Sequence, residues 1–265
     1  MRAAIVIALA GCAGAEAMTL PAVPPQVTGS ADVGLVPGET MAFEVKLAGL
    51  TAGEAQLAVG EPTTIDGHKA IVVKSRAATV GAAALVKKIV DEATTTIDLD
   101  TGRPLALETF VQMGDRESTA KAVFAGTRAD ITWTREKADK PHTMRINFGQ
   151  AVVNDAHAAM AQLRGWKAKP GTTKSLFVVG GRRLWRVDVK YAGEETIPSA
   201  YGNRRAVRYE GSAFRAHNNL TVDDTKPQRT FSVWLSDDAD RVPLKVTAST
   251  ELGDIVIELT EYNRP

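Results

Sequence analysis

The chain of 265 residues carries a single cysteine, Cys12, so no disulfide can form within it. A domain of this length can rely on apolar burial, whereas one of about 40 residues usually needs covalent staples. No apolar run approaches the roughly 20 residues of a spanning helix, which argues against a transmembrane helix. The net charge of +1 gives no bulk attraction for nucleic acid or an acidic polymer. Chemistry-bearing motifs are missing as well. There is no H-E-x-x-H, and His68, His142, His157 and His217 are scattered, so no metal-ligand set is predicted. There is no G-x-S-x-G elbow around Ser212 and no P-loop; Gly180-Gly181 before Arg182-Arg183 reads as a hairpin turn. Paired glycosidase carboxylates leave no sequence signature. No catalytic residue and no cofactor is therefore expected, and an enzyme is the least favoured class.

What is present begins at the N-terminus. An apolar stretch over 3–9 runs into Leu9-Ala10-Gly11-Cys12, small residues before a cysteine, which is the pattern of a bacterial lipoprotein signal with Cys12 as the lipidated residue. Ala15-Glu16-Ala17 before Met18 offers a competing site of ordinary secretory cleavage, and a buried N-terminal element with a chance cysteine is the plain alternative. The expected division is a signal peptide over 1–17, a proline-bearing tether over 18–40 with Pro21, Pro24, Pro25 and Pro37, and one β domain over 41–263. Ala13 follows the cysteine, with no Asp there to hold the protein at the inner membrane. The expected location is the periplasm, anchored by lipid to the outer membrane; soluble periplasmic or secreted protein is the alternative.

Hydrophobic residues make up 44% of the chain, enough for a real core. Their period is two. Phe43, Val45 and Leu47, then Ala55, Leu57 and Val59, alternate with polar or small neighbours around a turn over 48–53, which predicts a hairpin. Further strands are predicted over 69–78, 92–99, 105–113, 118–124, 129–134, 143–148, 174–179, 184–191, 204–214, 230–235, 244–252 and 254–262. Asp66-Gly67, Gly114-Asp115 and similar turn signals punctuate them. The segment 154–164 predicts one short central helix with Asn154 as its cap and Gly165 at its end. The segment 81–90 fits a helical turn or the start of a strand. The expected fold is mostly β: an antiparallel multi-stranded sheet curled into a barrel or sandwich, with the helix near its middle.

Trp234-Leu235-Ser236-Asp237-Asp238-Ala239-Asp240-Arg241-Val242-Pro243, the later Leu252-Gly253-Asp254-Ile255, the opening Pro37-Gly38-Glu39-Thr40 and the central helix together resemble Domain of Unknown Function 3108, a family of exported bacterial proteins. The likeness covers nearly all of 37–262. It implies an antiparallel β fold in the cell envelope and carries no known catalytic or binding residue. The Ser236–Asp240 turn itself predicts an Asx-rich hairpin; calcium held by Asp237, Asp238 and Asp240 is the sharper alternative, though no loop completes six to eight oxygens.

The candidate binding residues are basic. Arg186 and Lys190 share one face of a strand, and Arg204 and Arg208 fall together on the next. With Trp185 at the edge, paired strands would gather guanidinium groups suited to phosphate or carboxylate. The plain alternative is a solvated face balanced by Asp188, Glu194, Glu195 and Glu210. The expected function is a non-catalytic envelope module that binds an amphiphile, lipid or anionic glycan, with the membrane as partner through the anchor and no nucleic acid. A structural or interaction protein of the envelope is the alternative, and a hydrolase a weaker one.

Overall fold

A computed structural model describes residues 33–135, 140–250 and 253–265. Cys12, both cleavage sites and most of the expected tether lie outside the described residues. The first half comprises β1 (Thr40–Leu47), β2 (Leu50–Val59), β3 (Thr63–Ile65), β4 (His68–Thr79), α1 (Gly81–Val86), β5 (Ile89–Asp98), β6 (Pro104–Met113), β7 (Arg116–Ala125), β8 (Arg128–Arg135) and β9 (His142–Asn147). The second comprises β10 (Val153–Asp155), α2 (Ala156–Gly165), β11 (Thr173–Gly180), β12 (Arg183–Ser199), β13 (Gly202–Ala216), β14 (Arg229–Ser236), β15 (Pro243–Thr250) and β16 (Gly253–Asn263).

The turns follow from residue chemistry. Ala48 and Gly49, and again Asp66 and Gly67, hold positive φ between strands that pair on either side, the two-residue hairpin geometry matched to strand twist. All sixteen strands form one sheet in the order β10 to β16, then β1, β2, β4 and on to β9, with β3 beside β4. Every pairing is antiparallel except β10 with β11.

The expected antiparallel multi-stranded sheet is present, but it is not closed into a barrel. The two edge strands, β9 and β10, are not bonded to each other, so the sheet is not closed, and among the described residues no second sheet faces it. Its ends overlap instead. Paired residues share a face, so Val187, Val189 and Tyr191 lie on the face of β12 that packs against Met160 and Leu163 of α2; this is the inner face. Phe177, Val179, Leu184 and Ala216 lie on the opposite face and pack against Leu107, Ala122, Ile131 and Ile146 of the β6–β9 limb. One end of the sheet therefore laps over the outside of the other, like a scroll. β12 is covered on both faces only at its start, where Leu184 and Arg186 are buried on the outer face; from Trp185 to Tyr191 apolar and polar residues alternate, and Lys190 is exposed.

Two helices stand where one was expected. α1 is a short turn with no buried residue, and β5 starts directly after it, so both readings of 81–90 hold in succession. The central helix is capped by Asp155 and not by Asn154: the Asp155 carboxylate accepts from the N–H groups of His157 and Ala158. Asn154 belongs to β10, the parallel strand that was too short to carry a periodic signal. α2 fills one end of the roll. Ala158 packs with Val59, Ile71, Val73 and Ile97 from one half of the sheet, and Met160 and Leu163 with Val207, Val233 and Leu235 from the other.

Residues 33–39, within the expected tether, pack on this helix. The Gly34 N–H donates to the Ala161 carbonyl at 3.0 Å, and a Cβ on Gly34 would stand 2.5 Å from Arg164 Cβ and 2.6 Å from the Gly165 nitrogen. Gly34→Ala is expected to lower stability by about 2 kcal/mol, since the clash is with backbone that cannot swing aside. A thermal melt checks this, and an unchanged midpoint would mean that the segment detaches without cost.

Candidate functional site

Antiparallel pairing without interruption from β11 round to β9 puts the turns of the roll at two ends. At the α2 end the inner face is sealed: Val73, Thr95, Val207, Tyr209 and Leu235 are buried completely or nearly so. At the other end Phe43, Val111, Leu176, Val187, Phe231 and Ile255 lie on the same inner face but are only half-buried. The inner face is thus sealed at the α2 end and less covered at the other, the open end, where half-buried apolar side chains stand beside the buried carboxylate of Asp91. Phe231 lies flat on Gly211, where a Cβ would come within 2.0 Å of the ring.

Arginines gather at the open end. Trp185 of β12 pairs directly with Arg215 of β13, and Arg229 of β14 pairs with Ala213 one step along the same face. The guanidinium carbons of Arg215 and Arg229 stand 5.6 and 4.5 Å from the Trp185 ring, so two cations share one indole. Arg183 lies on this face too, two residues before Trp185. The Nη1 of Arg215 is buried and has no hydrogen-bond partner. Burial, then repulsion from Arg183 and Arg182, lowers the Arg215 pKa to about 10, against the opposing charge of Asp223. The Asp223 carboxylate already accepts from the Thr225 hydroxyl and N–H. A buried donor without an acceptor costs free energy unless a ligand supplies one.

Of the five residues singled out by sequence, only Trp185 belongs to this cluster. Arg186 lies on the outer face, 8% exposed, with Nε donating to Asp188 at 3.1 Å. Lys190 is exposed opposite Glu210, and Arg204 is exposed opposite Ile197. Arg208 donates to Glu210 at 2.6 Å and stands 3.5 Å from Glu195. These four do not converge. They are spread along a bent hairpin: Lys190 stands opposite Glu210 and Arg208 is paired with acids, Arg204 faces Ile197, and Arg186 keeps a buried Nη2 without a hydrogen-bond partner beside its bond to Asp188.

A second polar group sits at the plugged end. The Thr95 hydroxyl donates to Asp155 Oδ2 at 2.5 Å and so accepts from His157 Nδ1 at 2.7 Å. Burial lowers the His157 pKa and keeps the ring neutral, which leaves Nε2 to accept from the Ser75 hydroxyl at 2.9 Å. The order of donors resembles a nucleophile with its base. Here it staples the first turn of α2 to β4 and β5, because Asp155 is also the helix cap.

Elsewhere, two depressions of about 390 and 480 Å³ open mainly among outward residues such as Glu92, Thr94 and Lys121, away from the arginines. The Ser236–Asp240 turn is the expected Asx hairpin: Asp238 Oδ1 accepts from the Ser236 hydroxyl and from the N–H groups of Asp240 and Arg241. Among the described residues no three His, Cys, Asp or Glu side chains gather as metal ligands, and no helix is long and apolar enough to cross a membrane.

The fold has relatives among solved structures. The β-barrel-like protein of domain of unknown function DUF1849 from Brucella abortus superposes with a TM-score of 0.57 at 11% identity, covering 87% of this chain and all of that one. The hypothetical lipoprotein YmcC from Escherichia coli (TM-score 0.31, 12% identity, 87% and 86% covered) and the lipoprotein LppX from Mycobacterium tuberculosis (0.25, 13%, 87% and 88%) are more distant. No curated protein matches in sequence. The model of the protein-of-unknown-function family DUF3108 matches residues 42–260, and the chain belongs to that family.

Proposed function

We propose that this protein is a non-catalytic module of the bacterial envelope that binds an amphiphile with an anionic headgroup. The apolar chain would lie along the half-buried inner face at the open end. The headgroup, a phosphate or carboxylate, would meet Arg215 with Arg183, Arg229 and Trp185 around it. The observation that carries this reading is the buried, unpartnered Nη1 of Arg215 among like charges. A planar guanidinium offers a fork of donors matched to such anions. Attachment to the outer membrane through Cys12 would place the module beside its ligand.

The test is calorimetric titration with two soluble short-chain lipids, dihexanoyl phosphatidylglycerol and dihexanoyl phosphatidylcholine. Arg215→Gln is expected to weaken phosphatidylglycerol binding about tenfold or more, the scale of a lost charge-assisted hydrogen bond, and to weaken phosphatidylcholine, whose phosphate is offset by choline, less. Equal binding of phosphatidylglycerol by wild type and variant would refute the site.

A further inference from the structure

The open end also has an exterior, and its chemistry is uneven. Five large apolar side chains are exposed among the described residues, and three of them stand at this end: Leu50 at 75%, Leu85 at 90% and Val86 at 88%. They are neighbours by construction. Leu50 starts β2 after the β1–β2 turn, and the Val80 N–H donates to the Ala52 carbonyl at 3.1 Å, which seats α1 beside that turn. The next turns continue the rim, since the Ala48 N–H donates to Asp254 O and the Gly114 N–H to Lys88 O. α1 buries nothing, so packing gives no reason for Leu85 and Val86. Lys87 and Lys88 follow them at once, Arg182 lies in the β11–β12 turn of the same end, and Arg183 starts β12. Among the described residues, Asp115 in the β6–β7 turn and Asp254 at the start of β16 are acids near this rim, and Asp254 accepts from Ser249.

We infer that this rim docks on the surface of an anionic phospholipid bilayer, with Leu50, Leu85 and Val86 entering the interface and Lys87 and Lys88 meeting headgroup phosphates. Apolar tips beside lysines match that boundary, where apolar burial and the negative surface potential act together. Docking in this pose faces the open, apolar-lined end of the roll toward lipid. The inference rests on the amphiphile reading for its purpose but not for its geometry.

Vesicle flotation of the full chain with Cys12→Ser, which removes any lipid anchor, tests it. Vesicles of phosphatidylglycerol and phosphatidylcholine in equal parts are compared with pure phosphatidylcholine. The double substitution Leu85→Glu/Val86→Glu is expected to reduce partitioning onto the anionic vesicles about tenfold or more. Lys87→Glu/Lys88→Glu should abolish the preference for them, and Val123→Glu, an exposed apolar site elsewhere, should change nothing. Wild-type partitioning by the Leu85→Glu/Val86→Glu variant overturns the proposal. So does a dimer in sedimentation velocity that this variant dissociates without vesicles, which would assign the patch to a second copy of the chain. Soluble phosphatidylglycerol binding by the same variant is expected to be intact. Its loss in wild type would sink the amphiphile reading and leave the docking result standing by itself.

Discussion

Replacing Arg164 by Ala is expected to cost about 3–5 kcal/mol of folding stability, because it strands a buried carboxylate. Glu39 is fully buried, and Arg164 binds it with both arms, Nη1 to Oε1 at 2.5 Å and Nη2 to Oε2 at 2.9 Å. Arg164 also donates from Nη2 to the Asp240 carbonyl at 2.8 Å. One side chain at the last turn of α2 thus ties the helix to the residue before β1 and to the β14–β15 turn, the two flanks of the plugged end. Glu39→Ala should be comparably damaging for the mirror reason, an uncompensated guanidinium. The double substitution Glu39→Leu/Arg164→Met should recover much of the loss, since an ion pair of this kind is expensive to break and cheap to replace. Urea unfolding of the four proteins compares these losses; single losses under about 1 kcal/mol would show that water reaches the pair.

Asp91→Asn is expected to leave stability unchanged near pH 4 and to raise it by about 3–5 kcal/mol at pH 9. Asp91 stands on the inner face of β5 in register with Ala77 and Val111, and its Oδ2 has no hydrogen-bond partner. Burial, aided by the charge of Glu92, pushes its pKa from 3.8 to about 8. The folded chain therefore keeps a proton that the unfolded chain releases. Stability is fully present below about pH 4, falls by about 1.4 kcal/mol per pH unit as pH rises, and levels off above about pH 8. Any constant cost of the Asn amide cancels in the comparison of the two pH values. The same wild-type-to-variant difference at pH 4 and pH 9 would mean that Asp91 is solvated in the folded state.

Most of the secondary structure was legible in the sequence, and the reasons are local. A half-buried strand needs alternation, and a two-residue hairpin needs residues that accept positive φ. Twelve strand segments read beyond the first hairpin correspond to β4 to β9 and β11 to β16, with ends displaced by a few residues. The elements missed, β3 and β10, are three residues each, too short for a period to show. The family likeness was carried by the same local signals around Ser236–Asp240, where Asp238 organises the turn.

The candidate site was not legible, because it depends on register. The pairing of β12 with β13 shifts by one residue between Tyr191 and Gly193. Without that bulge, the register of Glu194↔Val207 would run on and set Arg215 opposite Arg186, turning Arg186, Asp188 and Lys190 to the inner face in place of Trp185, Val187 and Val189. With it, Arg215 meets Trp185 inside the roll. A one-residue slip exchanges every side chain of the strand between faces, and its local trace in the sequence is a single glycine, Gly193, at φ 149°. Sequence alone therefore determined which segments are strands, where they turn and that arginine is plentiful on the β12–β13 hairpin. The tertiary structure decided which arginines face the apolar interior, because facing is set by pairing partners far apart in the chain and by a sheet that overlaps itself where it might have closed.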